Sequence, residues 1–194
     1  MKNLTKLALI SSVTSIMFVG CGDQTTATTS TANSESMELA LKTAKKTILK
    51  VINNARLEAR DCNDGHGMVG PSVALTWNNE LYASAYEHSN DLAQSDTFSH
   101  MGSGTTSDVT GSNSGKASKF NDRIAENGYT NYTILGENIA GGQESIETAL
   151  KAWLASPAHC TNIMEKDFTE IGVAVVANSD STYGIYWTQN FGGK

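Results

Sequence analysis

Two histidines and one glutamate stand in short polar segments that lie far apart in the sequence. The segments are Phe98-Ser99-His100, Gly136-Glu137-Asn138-Ile139 and Ser156-Pro157-Ala158-His159-Cys160. A neutral imidazole can ligate a divalent cation or transfer a proton near neutral pH, and a carboxylate can do either beside it. We therefore expect His100, Glu137 and His159 to meet in one solvent-reachable cleft, where any chemistry of this protein would take place.

Two other chemistries could use the same segments. Ser156, His159 and Glu137 have the residue types of a hydrolytic triad, but the chain contains neither Gly-x-Ser-x-Gly nor His-Glu-x-x-His. A serine before a proline at a helix end is commonly a cap or turn residue, and the sequence favours that role for Ser156. Cys160 beside His159 could be a nucleophile only as a free thiol, which would leave Cys62 unexplained.

Several candidate residues also have purely structural interpretations. The Glu137 carboxylate could accept backbone N–H bonds in a tight loop, and this role is compatible with a place in the site because a buried carboxylate needs partners in either case. His66, in a Gly-rich loop, and His88, on a helix, are predicted to be ordinary structural residues. The three tryptophans are expected to anchor the core.

The first twenty residues have the pattern of an export signal. Lys2 and Lys6 precede a mostly apolar stretch from Leu7 to Val19, which is too short to span a bilayer as a helix. The segment Phe18-Val19-Gly20-Cys21 resembles the lipobox of bacterial lipoproteins, so we expect residues 1–20 to be a lipoprotein signal peptide and Cys21 to be lipidated. Plain cleavage, which would give a soluble secreted protein, is the alternative.

The next segment, residues 21–36, is rich in Thr, Ser, Ala and Asn, and it is predicted to be a flexible tether because it offers little apolar surface to bury. Residues 37–194 have a length typical of one domain. With Cys21 lipidated, Cys62 and Cys160 remain of the three cysteines, and such a pair in an exported chain predicts a disulfide. This bridge would fix the backbone beside His159.

The net charge of −6 argues against a general affinity for nucleic acid, and no basic run is present. We therefore expect the membrane, reached through the lipidated N-terminus, to be the partner of the chain. The sequence leaves the oligomeric state open.

Hydrophobic spacing predicts helices in the first part of the domain and strands at its end. Apolar residues recur at intervals of three and four over 37–60, from Trp77 to Leu92, over 120–127 and after Ser145, and Asn78 or Asn79 could cap the second helix. Residues 102–119, nearly all Gly, Ser, Thr and Asn, are predicted to form a mobile loop beside His100. Apolar alternation over 171–176 and a stretch rich in aromatics over 183–191 predict a β-hairpin, which makes the domain α+β.

In order and spacing, these segments resemble the CAP superfamily, which includes cysteine-rich secretory proteins, antigen 5 proteins and pathogenesis-related proteins of group one. The bacterial branch of SCP domains is the most similar. The matching segments are Asn53-Asn54-Ala55-Arg56, Leu75-Thr76-Trp77, Phe98-Ser99-His100, Asp122-Arg123-Ile124, Gly136-Glu137-Asn138-Ile139, Trp153 with Ser156-Pro157 and His159, Phe168 to Val173, and Tyr186 to Gly192. The resemblance implies an α-β-α sandwich with a central antiparallel sheet.

Many members of the superfamily have a cleft with two histidines and two glutamates. By motif, this chain supplies His100, Glu137 and His159, whereas the position of the second glutamate is occupied by Ser156. At most three protein ligands would remain for Zn²⁺ or Mg²⁺, with open positions for water or substrate.

Three functions are compatible with these expectations. The first is a binding module of the cell envelope whose cleft holds a divalent metal, a small molecule, a sterol or a lipid. The second is a metal-dependent hydrolase, a protease or a nuclease, and the third is a cell-surface interaction domain with an inactive cleft. The sequence favours the binding module and leaves open whether the protein is an enzyme.

Overall fold

A computed structural model describes the backbone of residues 26–194 and the side chains of residues 36–194. The expected signal peptide at residues 1–20, the lipidation site Cys21 and the first residues of the expected tether lie outside the described residues. The described chain divides after Leu39 into two compact units, and the second, residues 40–194, contains every strand that the structure describes.

The first helix, α1, spans Thr26–Arg56 and begins well before the predicted start at Met37. Residues 26–36, expected to be part of a flexible tether, are therefore helical, and this stretch contains no glycine or proline that would stop a helix. The helix ends before the predicted end at Arg60, which lies in the first strand. Towards the end of α1, Ile52 and Ala55 face the core of the second unit.

Six strands in the described part of the chain form two sheets. They are β1 (Arg60–Asp61), β2 (Met68–Val69), β3 (Thr76–Trp77), β4 (Ile134–Gly141), β5 (Glu170–Ala177) and β6 (Ile185–Gly193). The first two pair with each other, and the other four form the central sheet in the order β3-β5-β6-β4. All pairs are antiparallel except the short contact of β3 with β5, so the sheet is mainly antiparallel, as expected.

Five further helices surround this sheet. They are α2 (Asn79–Ser95), α3 (Val109–Ser114), α4 (Phe120–Glu126), α5 (Ile146–Leu154) and α6 (Pro157–Met164). Helix α2 packs on β5 and β6, and α4 packs on α2. A Cβ atom at Gly172 of β5 would collide with the backbone of Leu81 and Tyr82, so glycine at this position permits the close approach of α2 to the sheet.

Alternate side chains of the strands point into two separate cores. On β6, Tyr186 packs with Leu92 of α2, whereas the next residue, Trp187, belongs to the larger core on the opposite face. That larger core also contains Ile52 of α1 and Trp153 of α5. The period-two pattern thus buries both faces of the sheet, which confirms the expected α-β-α sandwich and the α+β class.

The structure confirms most of the predicted elements and, besides the bounds of α1, corrects several others. The hairpin of β5 and β6 is present, and Asn78 caps α2 by accepting hydrogen bonds from the backbone N–H groups of Glu80 and Leu81. Trp77, predicted on the helical stripe, lies in β3 instead. The segment 102–119 contains α3, and Gly136-Glu137-Asn138 lies in the buried strand β4 rather than in a tight loop.

Cys62 and Cys160 form the predicted disulfide, which joins the residue after β1 to the middle of α6. Pro157, expected only to stop α5, occupies the first turn of α6, where its missing N–H costs no hydrogen bond. Among the residues that the structure describes, no helix is long and apolar enough to cross a membrane.

Candidate functional site

The site is centred on Glu137, whose carboxylate projects from β4 and is 1% exposed. In the sheet register Glu137 pairs with Asn190 of β6. With its amide nitrogen turned to the carboxylate, Asn190 donates to Glu137 Oε2 at 3.2 Å, and its oxygen accepts from Ser84 Oγ and Ala85 N of α2. Strand β6 and helix α2 therefore fix the base of the site.

Each oxygen of the Glu137 carboxylate has a strong donor. His100, in the loop after α2, donates from Nδ1 to Oε1 at 2.9 Å. Arg123 of α4 donates from Nη2 to Oε2 at 2.8 Å and is fully buried. The same Nη2 donates to the carbonyl oxygen of His100 at 3.1 Å, so that Arg123 holds both the carboxylate and the histidine backbone.

These contacts determine the charge state of Glu137. Burial alone raises the pKa of the carboxyl, but the hydrogen bond from His100 and the positive charge of Arg123 outweigh burial and hold the pKa below its ordinary value. Glu137 is therefore ionised at neutral pH. Because a carboxylate only accepts hydrogen bonds, His100 must carry its proton on Nδ1, which leaves the Nε2 of a neutral ring with a free lone pair.

His88 lies behind this carboxylate on α2 and is fully buried. Its Nε2 donates to the carbonyl oxygen of Ser99 at 2.9 Å and stands 3.8 Å from Glu137 Oε1. Its Nδ1 has no hydrogen-bond partner among the described residues. Burial lowers the pKa of His88, and the ring is therefore neutral, with its proton on the nitrogen that faces the carbonyl.

His159, on α6, completes the cluster from the other side. The ring centroids of His100 and His159 are 6.4 Å apart, and both side chains are accessible to solvent. The backbone carbonyl of His159 accepts from Asn138 Nδ2 at 3.2 Å, which ties α6 to β4. Burial lowers the pKa of His159, and a protonated His100 would lower it further, which favours the neutral ring that could act as a ligand.

Exposed apolar side chains flank His100 in the sequence. Phe98 stacks at a tilt on Tyr183, from the turn between β5 and β6, with 5.0 Å between ring centroids. Phe98, Met101 and Tyr183 are each more than two-fifths exposed. We call these three side chains the apolar rim; together with an imidazole they suit a ligand of mixed character.

Ser156 and Cys160 have structural roles here. Ser156 stands at the N-cap of α6, where its carbonyl accepts from the N–H of Cys160, although its side chain makes no capping bond. Within the described residues Glu137 is bonded to His100 and not to His159, so the triad of Ser156, His159 and Glu137 does not form. Cys160 is in the disulfide and therefore cannot be a nucleophile.

Comparison with known sequences settles the family. The profile of the family described as "CAP: Cysteine-rich secretory protein family" matches residues 49–191, which is most of the chain. The chain belongs to the CAP family. This finding confirms the expected superfamily, and the match includes all three residues of the candidate cleft.

Two proteins of Bacillus subtilis (strain 168) share sequence with this CAP domain. The chain is 46% identical over 63 residues to YkwD, a stretch that covers 32% of the chain and 23% of YkwD. It is 29% identical over 149 residues to the membrane protein YlbC, which covers 77% of the chain and 34% of YlbC. The chain therefore spans about a quarter to a third of the length of these relatives.

Solved structures show the same fold. An extracellular protein containing an SCP domain from Bacillus anthracis superposes with a TM-score of 0.57 at 24% identity, covering 79% of this chain and 41% of that one. An outer surface protein from Borrelia burgdorferi gives a TM-score of 0.52 at 19% identity, covering 79% of this chain and 92% of that one. A cysteine-rich secretory protein from Staphylococcus aureus gives a TM-score of 0.51 at 16% identity, with coverages of 79% and 39%.

The donor set of this CAP domain fits a metal ion only in part. Among the described residues, no group of three or more His, Cys, Asp and Glu side chains is placed to hold one. The Glu137 side chain is 1% exposed, and three donors already bind its oxygens, His100 on Oε1 and both Arg123 and Asn190 on Oε2. The expected three-residue ligand set therefore reduces to Nε2 of His100 and the ring of His159, with Glu137 orienting the first of them.

The sequence assigns no site role to three residues that surround Glu137. Arg123 and Asn190 lie in segments that match the family, and the helical pattern predicts an ordinary structural role for His88. No sequence spacing connects these residues to Glu137, because each contact depends on how α4, α2 and β6 pack around β4. The one signal available for these contacts was Arg123, a lone arginine among the buried positions of a short helix, because a buried arginine needs a partner.

Proposed function

We propose that this CAP domain is an exported binding module of the cell envelope. Its cleft binds a divalent cation, Zn²⁺ or Mg²⁺, through His100 and His159, and it accepts a small ligand against the adjoining apolar rim. The observation that carries the proposal is the hydrogen bond from His100 Nδ1 to Glu137 Oε1, with the His159 ring 6.4 Å from that of His100.

This hydrogen bond supports a metal role in a specific way. A metal-ligating histidine usually donates its second ring nitrogen to a carboxylate or carbonyl, which fixes the tautomer and raises the basicity of the ligating nitrogen. His100 has this arrangement before any ion binds, since Glu137 holds Nδ1–H and no described group occupies Nε2. With two protein ligands the site would leave several coordination positions to water or to a ligand, so that affinity is modest.

The apolar rim supports the second part of the proposal. Phe98 and Met101 flank His100 in the sequence, Tyr183 stacks on Phe98, and all three side chains are exposed. Burial of such side chains against an aliphatic or sterol-like ligand is favourable in proportion to the apolar area covered. The ligand class is therefore a small molecule, lipid or sterol with an apolar body and one polar end.

Two observations support a location at the cell envelope. The sequence of residues 1–21 has the pattern of a lipoprotein signal with Cys21 as the lipid-bearing residue, and a diacylated cysteine gives the two-chain anchoring that one acyl chain cannot. The structural neighbours named above include an extracellular protein and an outer surface protein. The proposed disulfide-bonded, lipid-anchored state suits an oxidising compartment.

A hydrolase, the main alternative, has less support. A general base needs a carboxylate that is free to take a proton, whereas both oxygens of Glu137 are hydrogen-bonded and Arg123 is paired with one of them. The metal-dependent mechanism would therefore need a base other than Glu137. No other described carboxylate lies within ion-pair distance of His100 or His159.

Calorimetric titration of the mature domain with ZnCl₂ and with MgCl₂ tests the metal role. The double variant His100→Ala/His159→Ala should lose the heat of metal binding, while circular dichroism shows an unchanged fold. His66→Ala, which removes an exposed histidine outside the cleft, is the matched control and should bind like the unchanged domain. Equal affinity in the double variant and the control would refute the proposal.

A further inference from the structure

A second cavity lies on the outer side of α2, separate from the histidine cleft. It has a volume of about 520 Å³ and is bounded by α2, the segment before α3, and the end of α4. Its aromatic and apolar wall consists of Tyr82, Tyr86 and Val109, and its polar wall consists of Glu87, Asn90 and Asn127. The three residues of the histidine cleft do not line it, so this cavity needs an explanation of its own.

The polar wall has more hydrogen-bond acceptors than donors. Glu87 accepts one bond on each oxygen, from the backbone N–H of Thr110 and from Asn127 Nδ2, and each oxygen keeps a further lone pair. The amide nitrogen of Asn127 donates hydrogen bonds to Glu87 and to the carbonyl of Arg123. The side-chain oxygen of Asn127 remains as an acceptor. A ligand that fits this wall must therefore supply several donors.

The charge of the cavity is negative and uncompensated by the protein. Among the residues that the structure describes, no lysine, arginine or histidine lies within ion-pair distance of Glu87. The two N–H donors on the carboxylate are neutral groups. A positively charged ligand would therefore gain electrostatic attraction at this place, whereas an anion would be repelled.

The aromatic wall is suited to a cation as well. Tyr82 and Tyr86 are neighbours with ring centroids 6.5 Å apart, and the neighbouring Lys45 already places its ammonium 5.1 Å from the Tyr82 ring. Tyr86 is half exposed, and no described cation lies over its ring. Aromatic faces attract cations, and the planar guanidinium of arginine also stacks on them.

We propose that this cavity is a binding site for the guanidinium group of an arginine side chain in a peptide or protein partner. Guanidinium has five N–H donors in a planar fork, which matches the surplus acceptors of Glu87 and Asn127. The flat face of the guanidinium group stacks on Tyr86. The methylene groups of the arginine side chain lie against Val109, which is half exposed. The site is independent of the proposed metal cleft, and either can be present without the other.

The probe for this proposal is N-acetyl-arginine amide, with N-acetyl-citrulline amide as the uncharged ligand of nearly the same shape. Amide shifts of ¹⁵N-labelled mature domain during titration would report binding. The arginine compound should shift resonances around residues 82–90, 109 and 127, and the citrulline compound should bind at least about tenfold more weakly because it lacks the charge. Equal shifts with both compounds would overturn the proposal.

Two variants locate the site. Glu87→Gln should weaken arginine binding about tenfold through loss of the charge. Tyr86→Leu, which keeps an apolar side chain, should weaken it about two- to fivefold through loss of the ring. Glu147→Gln, an exposed acidic residue on α5, is the control for a nonspecific charge effect and should bind as before. A Glu87→Gln variant that keeps its fold and full affinity would contradict the proposal, as would preferential binding of a neutral N-acetylglucosamine trimer.

Discussion

Arg123 Nη2 lies 2.8 Å from Glu137 Oε2, and neither side chain is more than 1% exposed. A buried charge is expensive without a partner, and here each charge has one. Arg123 also donates from Nη1 to Ser118, so the ion pair connects β4, α4 and the segment before it. The central carboxylate of the cleft is therefore a structural element of the domain as well as the support of His100.

The first prediction concerns this ion pair. Replacing Arg123 with Met should lower the free energy of unfolding by about 3–5 kcal/mol, because Glu137 would remain buried without its cationic partner. Urea denaturation followed by tryptophan fluorescence would measure the change. Lys166→Met, which removes an exposed pair with Asp167, is the control and should leave the unfolding free energy almost unchanged.

The double variant Arg123→Met/Glu137→Leu separates the pair from simple loss of packing. Removal of both charges leaves no buried ion without a partner, so the double variant should be more stable than Arg123→Met alone. A double variant that is less stable by the sum of the two single effects would show that the two residues act independently, against the ion-pair explanation.

The sequence could predict the overall fold because hydrophobic periods and turn residues are local signals. Alternation over 171–176 and the cap at Asn78 were sufficient for the hairpin and for α2. It could not predict that Glu137 lies in a buried strand, since glycine and two polar residues begin the segment and such residues rarely mark a strand. The tertiary contacts of β4 override this propensity.

The same limit applies to the cleft. Family motifs indicate His100, Glu137 and His159, but they could not show that the carboxylate is held by Arg123 and Asn190. These contacts join α2, α4, β4 and β6, which are far apart in sequence. No local signal in the sequence indicates them, and in the proposed metal site they make Glu137 the residue that orients His100.

A second prediction follows from the buried, neutral His88. Its folded-state pKa is lowered from the ordinary value of 6.5, first by burial and also by the charge of Arg123, although Glu137 and Asp91 act in the opposite direction. Below pH 6.5 the unfolded chain therefore takes up a proton that the folded protein does not. Stability due to His88 is fully present above pH 6.5 and is lost as the pH falls through the folded-state pKa.

Replacing His88 with Gln should reduce the loss of unfolding free energy that occurs as the pH falls. Urea denaturation at steps between pH 7 and pH 5 would give the slope, which for one such group approaches about 1.4 kcal/mol per pH unit. His66→Gln, at an exposed position, is the control and should keep the slope of the unchanged domain. If the unfolding free energies of His88→Gln and of the control fall with pH at the same slope, another group is responsible for the pH dependence.

A third prediction concerns the segment 102–119, which the composition predicts to be mobile. Asp108 is fully buried there, and its two oxygens accept four bonds, from the N–H groups of Gly104, Gly111 and Ser118 and from Ser118 Oγ. Burial raises the pKa of Asp108, but these four donors hold it below its ordinary value. The segment is therefore organised around one carboxylate, despite its flexible composition.

Replacing Asp108 with Asn should place an NH₂ group against donors and leave at least one of them unsatisfied, at a cost of about 1–3 kcal/mol. Hydrogen exchange measured by mass spectrometry should become faster over residues 102–118 and stay unchanged in β5 and β6. Asp180→Asn, at an exposed turn, is the control. Unchanged exchange in the segment after Asp108→Asn would mean that composition and not this carboxylate determines its mobility.

The last prediction concerns the disulfide of Cys62 and Cys160, which are 98 residues apart. Closure of so long a loop restricts the unfolded chain, and the chain-entropy estimate is about 4–5 kcal/mol, with measured losses of about 2–5 kcal/mol. The variant Cys62→Ala/Cys160→Ala should therefore unfold at a markedly lower urea concentration. Unfolding of the unchanged domain should shift to the same extent when reductant is added, whereas the variant should not respond to it. A domain whose unfolding is insensitive to reductant, or whose thiols react with label when it is denatured without reduction, would contradict a bridge in the native protein.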